Sequence, residues 1–206
     1  MQQWQRLIAI IKKEVKPALG CTEPTSIAYA CAHAARILGQ KPEKLHVFVS
    51  DNLYKNAMGV FVPGTGKIGL PIAASVGALG GNPDAGLEVL AGITTAQVKE
   101  ALEMIEAGHV TIDRADSNEE VFCHAIATAG QDCAEVTVSG GHTDIVETRK
   151  NNKILFKKET DIKTDEKGSS SLGGEEINLK MIYDFALNVP MQDIRFILQA
   201  RDINMA

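Results

Sequence analysis

The first half of the chain carries apolar residues at the spacing of an α-helix. One face of residues 2–16 bears Trp4, Leu7, Ile8, Ile11 and Val15. Further helical patterns cover 24–38, 71–80, 84–91 and 94–108. Thr94 or Thr95 can cap the last of these helices, and Gly108 ends it. Residues 1–108 are therefore predicted to be mainly helical, with one strand at 45–50.

Between residues 109 and 159 the apolar period changes from about 3.6 to about 2, as in strands that bury one face. Five strand candidates follow one another in the segments HVTIDRA, EVFCHAIATA, AEVTVSG, TDIVETRK and KILFKKE. The turn signals SGGH (139–142) and KNNK (150–153) predict an antiparallel meander. Residues 109–160 are thus predicted to form a strand-rich subdomain.

Two more helical patterns, at 175–188 and 190–203, follow a linker-like stretch at 165–174. Residues 175–206 are predicted to begin a further helical part, which reaches the last residues without a C-cap. This lack suggests the N-terminal portion of a longer protein. The predicted fold class is α+β, with helices at both ends of the chain around a small, mainly antiparallel sheet.

The charge balance bears on the partners. With 21 Lys and Arg against 26 Asp and Glu, the net charge is −5. Nucleic acids and anionic membranes require a concentrated positive surface, so neither is predicted as a partner. No secretory signal and no apolar run of about 20 residues is present, which predicts a cytoplasmic location. The four cysteines are then expected to be thiols, and without a C-x-x-C pair no zinc site is predicted.

The segment GCTEPTSIAYACAHAARIL (20–38) places a reactive side chain at the entry to a helix. Pro24 suits the first helical turn, so Cys21 is predicted to lie at the positive end of the helix dipole, where a thiolate is stabilised. The alternative is a small helix-entry residue, with Glu23 serving the cap. The other three cysteines are predicted to pack in the core, although Asp132 leaves its neighbour Cys133 open to water.

A second candidate is the glycine-rich segment 51–71, which follows a predicted strand. Its N–H groups suit a small carboxylate, to which Asn56 could add an amide and Lys55 or Lys67 a positive charge. The spacing in GTGKIG is not that of a phosphate-binding P-loop, and no βαβ unit surrounds it. The alternative is a close-packed turn with exposed lysines.

The third candidate is His142, in the hairpin signal SGGHTDIV. An imidazole there can exchange protons near neutral pH, although a hairpin histidine is more often merely exposed. A Ser–His–Asp hydrolase is not indicated, because no serine lies on a nucleophile elbow.

Taken together, the segments GCTEPTSIAYA, KNAMGVFVPGTGKIGLPIAA and SGGHTDIV resemble the L-cysteine desulfidase family, within the iron–sulfur serine dehydratase alpha-chain superfamily. The resemblance covers nearly the whole chain and implies a carbon–sulfur lyase. Such an enzyme eliminates sulfide (or water) and ammonia from L-cysteine (or L-serine) to give pyruvate, with a [4Fe–4S] cluster and without PLP. The chain alone is expected to be inactive.

The resemblance also implies roles for individual residues. Cys21 and His142 match catalytic positions, and the implied contacts to an amino-acid substrate come from Glu23, Asn56, Gly64, Thr65, Gly66 and Lys67. The cluster ligands are expected mostly outside this chain, because Ile68 stands where related dehydratases have a cluster cysteine. No metal ligand is therefore assigned here, and a homodimer is left open.

Two other classes of function stay open at this point. One is a non-catalytic module that binds an amino acid or small carboxylate through the glycine-rich loop. The other is a thiol redox protein, which would require two thiols within bonding distance. The lyase requires that Cys21, Asn56 and His142 converge.

Overall fold

The computed structural model describes residues 2–159 and 177–205. The chain divides into two compact units: unit 1 is Met1–Pro17 with Thr160–Ala206, and unit 2 is Ala18–Glu159. The predicted linker at 165–174 lies outside the described residues.

Unit 2 is built on a six-stranded sheet in the order β4-β1-β5-β6-β7-β8. Its strands are β1 (Lys44–Val49), β4 (Val110–Arg114), β5 (Phe122–Ala129), β6 (Asp132–Ser139), β7 (Ile145–Lys150) and β8 (Lys153–Lys157). A separate antiparallel hairpin pairs β2 (Phe61–Val62) with β3 (Lys67–Ile68). Its helices are α2 (Thr22–Leu38), α3 (Asp51–Ala57), α4 (Leu70–Gly80), a 3₁₀ segment (Pro83–Glu88) and α5 (Thr95–Glu106). The α+β class is confirmed.

The predicted meander is confirmed for β5 to β8, whose neighbours all pair antiparallel. Between β7 and β8, Asn151 and Asn152 have positive φ values of 47° and 66°, as a tight Asn-rich turn requires. The strand at 110–114 departs from the prediction, because β4 pairs parallel with β1 at the other edge of the sheet. Parallel neighbours need a long crossover, and the helices between β1 and β4 provide it.

One face of the sheet packs against α2. Burial alternates along β5 and β6, and the inward positions of β5 are Cys123, Ala125, Ala127 and Ala129. Small side chains at these positions let the helix approach closely. On the other side of α2, α4 comes so near that a Cβ at Gly77 would lie 2.4 Å from the carbonyl oxygen of Ala28. Close helix packing thus explains the small residues in both helices.

Helix α3 lies inside the segment 51–71, which the sequence predicts as a glycine-rich loop. Ser50 begins this helix, because its hydroxyl accepts a hydrogen bond from the Leu53 N–H. The same buried hydroxyl donates to the Glu120 carbonyl oxygen at 2.9 Å, across to the start of β5. The prediction was wrong here because a short helix of seven residues shows too little periodicity to be recognised.

Unit 1 contains α1 (Gln2–Glu14), α6 (Leu179–Asn188), α7 (Met191–Ile194), a 3₁₀ turn (Arg195–Ile197) and α8 (Leu198–Met205). Its described core has Leu7, Ile8 and Phe185 buried, and the Trp4 ring meets Phe185 edge-on with centroids 5.6 Å apart. Among the described residues, no helix combines the length and apolar character needed to cross a membrane.

Candidate functional site

Cys21 lies at the N-cap of α2, in extended conformation, and its side chain makes no capping bond. Its thiol instead donates to Oε2 of Glu23, with an Sγ–O distance of 2.9 Å. Burial raises the pKa of Cys21, and the hydrogen bond to Glu23 raises it further. Burial and the neighbouring carboxylate thus act against the thiolate that the sequence predicts at this helix N-terminus.

The Glu23 carboxylate is the centre of this cluster. It accepts from Cys21 and, at 3.3 Å, from the Thr22 hydroxyl, both on Oε2. Oε1 lies 3.4 Å from the amide nitrogen of Asn56. The bond from Cys21 is the largest cause that lowers the pKa of Glu23, and the charge of His142 and the bond from Asn56 lower it as well. Glu23 is thus held ionised in a half-buried position.

The described hydrogen bonds to this charge all come from neutral donors. Among the residues that the structure describes, Glu23 forms no salt bridge with a lysine or arginine. Other carboxylates of unit 2 have such partners: Arg36 Nη1 lies 2.7 Å from Asp84, and Arg149 and Lys157 both pair with Glu147. A cationic ligand could therefore find an unneutralised carboxylate at Glu23.

The predicted site residues converge in part. Cys21, Glu23 and Asn56 are joined by hydrogen bonds, and His142, in the connection from β6 to β7, lies near enough to influence the Glu23 pKa. The glycine-rich loop adjoins this cluster, because a Cβ at Gly20 would lie 3.0 Å from Cγ of Pro63.

The loop itself is organised mainly by its own bonds. The Thr65 hydroxyl donates to the Val62 carbonyl oxygen at 2.8 Å and accepts from the Lys67 N–H at 3.0 Å. Gly64 and Gly66 have φ values of +74° and +62°, which favour glycine. The close-packed turn that the sequence left as an alternative accounts for Thr65. No hydrogen bond among the described residues joins Gly64, Gly66 or Lys67 to Glu23.

Sequence reasoning assigned the leading role to Cys21 and left Thr22 out. The structure gives Glu23 the larger number of partners, and Thr22 is one of them. The sequence signal for the central role of Glu23 was its place as the acidic residue in the first turn of a helix that otherwise carries small residues.

The grooves detected elsewhere in unit 2 do not include the predicted site residues. Two adjoining grooves of about 530 and 630 Å³ share Lys41, Pro42, Leu79 and Glu100. Lys41 and Glu100 form an ion pair there, so both charges already have a partner.

The remaining cysteines do not extend the site. Cys31 and Cys123 are fully buried, as predicted, and burial raises the pKa of Cys31 to about 12. Cys133 is partly exposed. All four are free thiols, and no three His, Cys, Asp or Glu side chains of the described residues could hold a metal ion together.

Comparison with known proteins gives a consistent set of relatives. The chain is 50% identical to a UPF0597 protein of Aliivibrio salmonicida, 53% to one of Shewanella sediminis and 52% to one of Aeromonas hydrophila. Each match covers 98% of this chain but only 47–48% of the relative, so the chain spans about half the length of the curated relatives it matches. No family model and no solved structure matches.

These relatives overturn the identification made from the motifs. They are named UPF0597 proteins and not cysteine desulfidases, so the predicted family, lyase activity and iron–sulfur enzyme class are wrong. The three motifs are short and rich in glycine and small residues, and such residues also serve turns, as at Gly64 and Thr65. The [4Fe–4S] cluster follows only from that resemblance and has no support of its own. Over almost its whole length, the chain is similar to about half of a UPF0597 protein.

Proposed function

We propose that unit 2 binds a small molecule through a primary ammonium group, with the Glu23 carboxylate as its anchor. The observation that carries the proposal is an ionised, half-buried carboxylate whose described hydrogen-bond donors are neutral. An ammonium group supplies both the missing positive charge and several donors, and hydrogen bonds between charged groups are about twice as strong as neutral ones.

The arrangement favours Oε1 as the contact atom. Oε2 already accepts from Cys21 and Thr22, whereas Oε1 has only the long bond from Asn56. A carboxylate has about four lone-pair sites, so Oε1 retains capacity for a further donor. The exposed Lys67, on the adjoining loop, could attract a carboxylate of the same ligand. A free amino acid, the partner expected from the sequence, belongs to this class.

The proposed role is binding and includes no chemical step. The thiol of Cys21 donates to Glu23, and this bond holds the carboxylate in place. In this proposal the Glu23 carboxylate holds the ligand, whereas the binding module considered from the sequence would hold it through the N–H groups of the glycine-rich loop. The cytoplasmic location stays a prediction from the sequence.

The test measures the thermal stabilisation of the chain by three probes: methylammonium, glycine and N-acetylglycine, whose amine is blocked. At ten times the Kd, binding stabilises the folded state by about 1.4 kcal/mol. We expect methylammonium and glycine to raise the Tm of the wild type, and N-acetylglycine to leave it unchanged.

Glu23→Gln keeps the shape of the side chain and removes its charge, so the shift with methylammonium should vanish. Glu106→Gln, which removes an equal charge from the exposed end of α5, is the matched control and should respond like the wild type. Equal stabilisation of Glu23→Gln and wild type by methylammonium would refute the proposal, as would the absence of any shift in the wild type.

A further inference from the structure

Helix α6 of unit 1 has two apolar faces. One face packs onto α1 through the buried Phe185, with Met181 and Val189 beside it. The other face, continued by the first residue of α7, is exposed and is here called the α6 stripe; it consists of Leu179, Ile182, Tyr183, Leu187 and Met191. Leu179 is 84% exposed, Leu187 66% and Met191 69%.

The polar residues of α6 are too few to make the stripe an ordinary solvent face. Lys180 and Asp184 pair with each other at 2.6 Å and occupy the boundary between the two apolar faces. A helix that is apolar nearly all round is usually buried in protein on both sides. Contiguous apolar surface of this kind marks an interaction site.

The core of unit 1 supports the same conclusion. Only Leu7, Ile8 and Phe185 are buried in the cluster that holds its described helices together. A core this small rarely stabilises a unit without a further partner, metal or disulfide. The described residues of unit 1 contain no cysteine, so no disulfide among them supplies that stabilisation.

The length of the relatives and the position of the two termini in unit 1 indicate what covers the α6 stripe. The relatives are about twice as long as this chain, since the matches cover 47–48% of their length. Met1–Pro17 and Thr160–Ala206 belong to the same unit, so additional polypeptide at either terminus continues directly from unit 1. We propose that the α6 stripe is the docking surface for the part of the longer relatives that has no counterpart in this chain.

The chemistry of the stripe describes the surface that covers it. Leucine, isoleucine, tyrosine and methionine side chains fit an apolar groove or helix face, with the Tyr183 hydroxyl able to reach a polar rim. This inference concerns unit 1 and is independent of the ligand proposed for Glu23 in unit 2.

Hydroxyl-radical footprinting tests the proposal, because tyrosine and methionine are readily oxidised when exposed. The samples are the 206-residue chain and a chimera in which this chain replaces the matched half of the Shewanella sediminis relative. Tyr183 and Met191 should be oxidised readily in the chain alone and at least about fivefold more slowly in the chimera. Met58, which is 53% exposed in unit 2, is the internal control and should not change.

Unchanged oxidation of Tyr183 and Met191 in a folded chimera overturns the proposal. Protection in the dilute 206-residue chain shows that this chain covers the stripe itself, which also overturns it. Protection that rises with protein concentration, together with a dimer in sedimentation, shows that a second copy of this chain covers the stripe. This outcome also overturns the proposal.

If the chimera does not fold, a second measurement on the intact relative replaces it. The intact Shewanella sediminis relative is footprinted at the helix aligned with residues 179–188. Slow oxidation of its positions aligned with the stripe, against fast oxidation at the position aligned with Met58, supports the proposal, and equally fast oxidation refutes it.

Discussion

At the residue scale, the thiol of Cys21 points its hydrogen at a carboxylate that already carries a full negative charge. A helix N-terminus favours a thiolate, but its influence is that of about half an elementary charge and is shared over the first turn. Glu23 carries a whole charge 2.9 Å from the sulfur. Burial and, after it, the hydrogen bond to Glu23 raise the pKa of Cys21.

This balance predicts the alkylation rate of Cys21. Glu23→Gln removes the charge that opposes ionisation, so the thiolate fraction at pH 8 should rise and iodoacetamide should react roughly twofold to tenfold faster. Burial, the larger cause of the raised pKa, remains in the variant and limits the gain. Mass spectrometry of the Cys21 peptide gives the rate, and the partly exposed Cys133 serves as the control thiol. A rate that falls or does not change would show that Glu23 does not govern this thiol.

The pH dependence of ammonium binding follows from the same carboxylate. The lowered pKa of Glu23 keeps it ionised as the pH falls to 5, and the charge is lost only in more acidic solution. The charge of His142 contributes to this lowered pKa. Methylammonium binding to wild type should therefore stay constant between pH 7 and 5 and weaken in more acidic solution.

His142→Ala removes one of the causes that lower the Glu23 pKa. In this variant the affinity should therefore begin to fall at a higher pH than in the wild type. Isothermal titration at each pH measures it, with circular dichroism to verify that the protein is folded. Loss of affinity at the same pH in the variant and in the wild type would mean that His142 does not act on the Glu23 carboxylate.

At the scale of elements, close contact between α2 and α4 is the tightest constraint on residue type. Gly77 faces the backbone of Ala28, and a Cβ there would lie 2.4 Å from its oxygen and 2.5 Å from its Cα. These are backbone atoms, which cannot rotate away from a clash as the end of a flexible side chain can. The two helices must separate if residue 77 acquires a side chain.

Gly77→Ala should therefore lower the free energy of unfolding by about 1–3 kcal/mol or more, through overpacking. Helix propensity acts in the opposite direction, since alanine is favoured over glycine by about 1 kcal/mol, but the clash is expected to exceed it. Urea denaturation measures the difference. Gly92→Ala, where a Cβ meets nothing within 4 Å, is the matched control and should be nearly neutral. Equal stability of both variants would mean that the helices have room to move apart.

At the scale of the whole molecule, the two units differ in how much apolar surface they bury. Unit 2 has a continuous core between its sheet and helices, which includes Ile27, Leu45, Val76 and Val136. Unit 1 buries three residues among those described and exposes the α6 stripe. The stability of the chain is thus concentrated in unit 2.

This difference predicts that residues 18–159 fold alone. The excised unit should unfold in one cooperative transition, with a Tm within about 5 °C of the main transition of the 206-residue chain. Calorimetry measures both. A broad transition or the loss of cooperative unfolding would show that unit 2 depends on unit 1. The Glu23 site lies inside this unit, so methylammonium should stabilise the excised form as well.

The sequence alone determined the α+β class, the long helices and four strands of the predicted five-strand meander, because each depends on local periodicity and turn chemistry. The parallel pairing of β4 with β1 and the helix α3 required the tertiary structure, since strand neighbours and short helices are fixed by distant contacts such as that from Ser50 to Glu120. At the candidate site, the sequence indicated Cys21, Glu23, Asn56 and His142, but not the hydrogen bonds that join the first three. Burial, which depends on the tertiary structure, is the first cause of the raised Cys21 pKa, and the hydrogen bond to Glu23 is the second. Local pattern specifies elements, whereas pKa values and close contacts depend on distances between atoms in space.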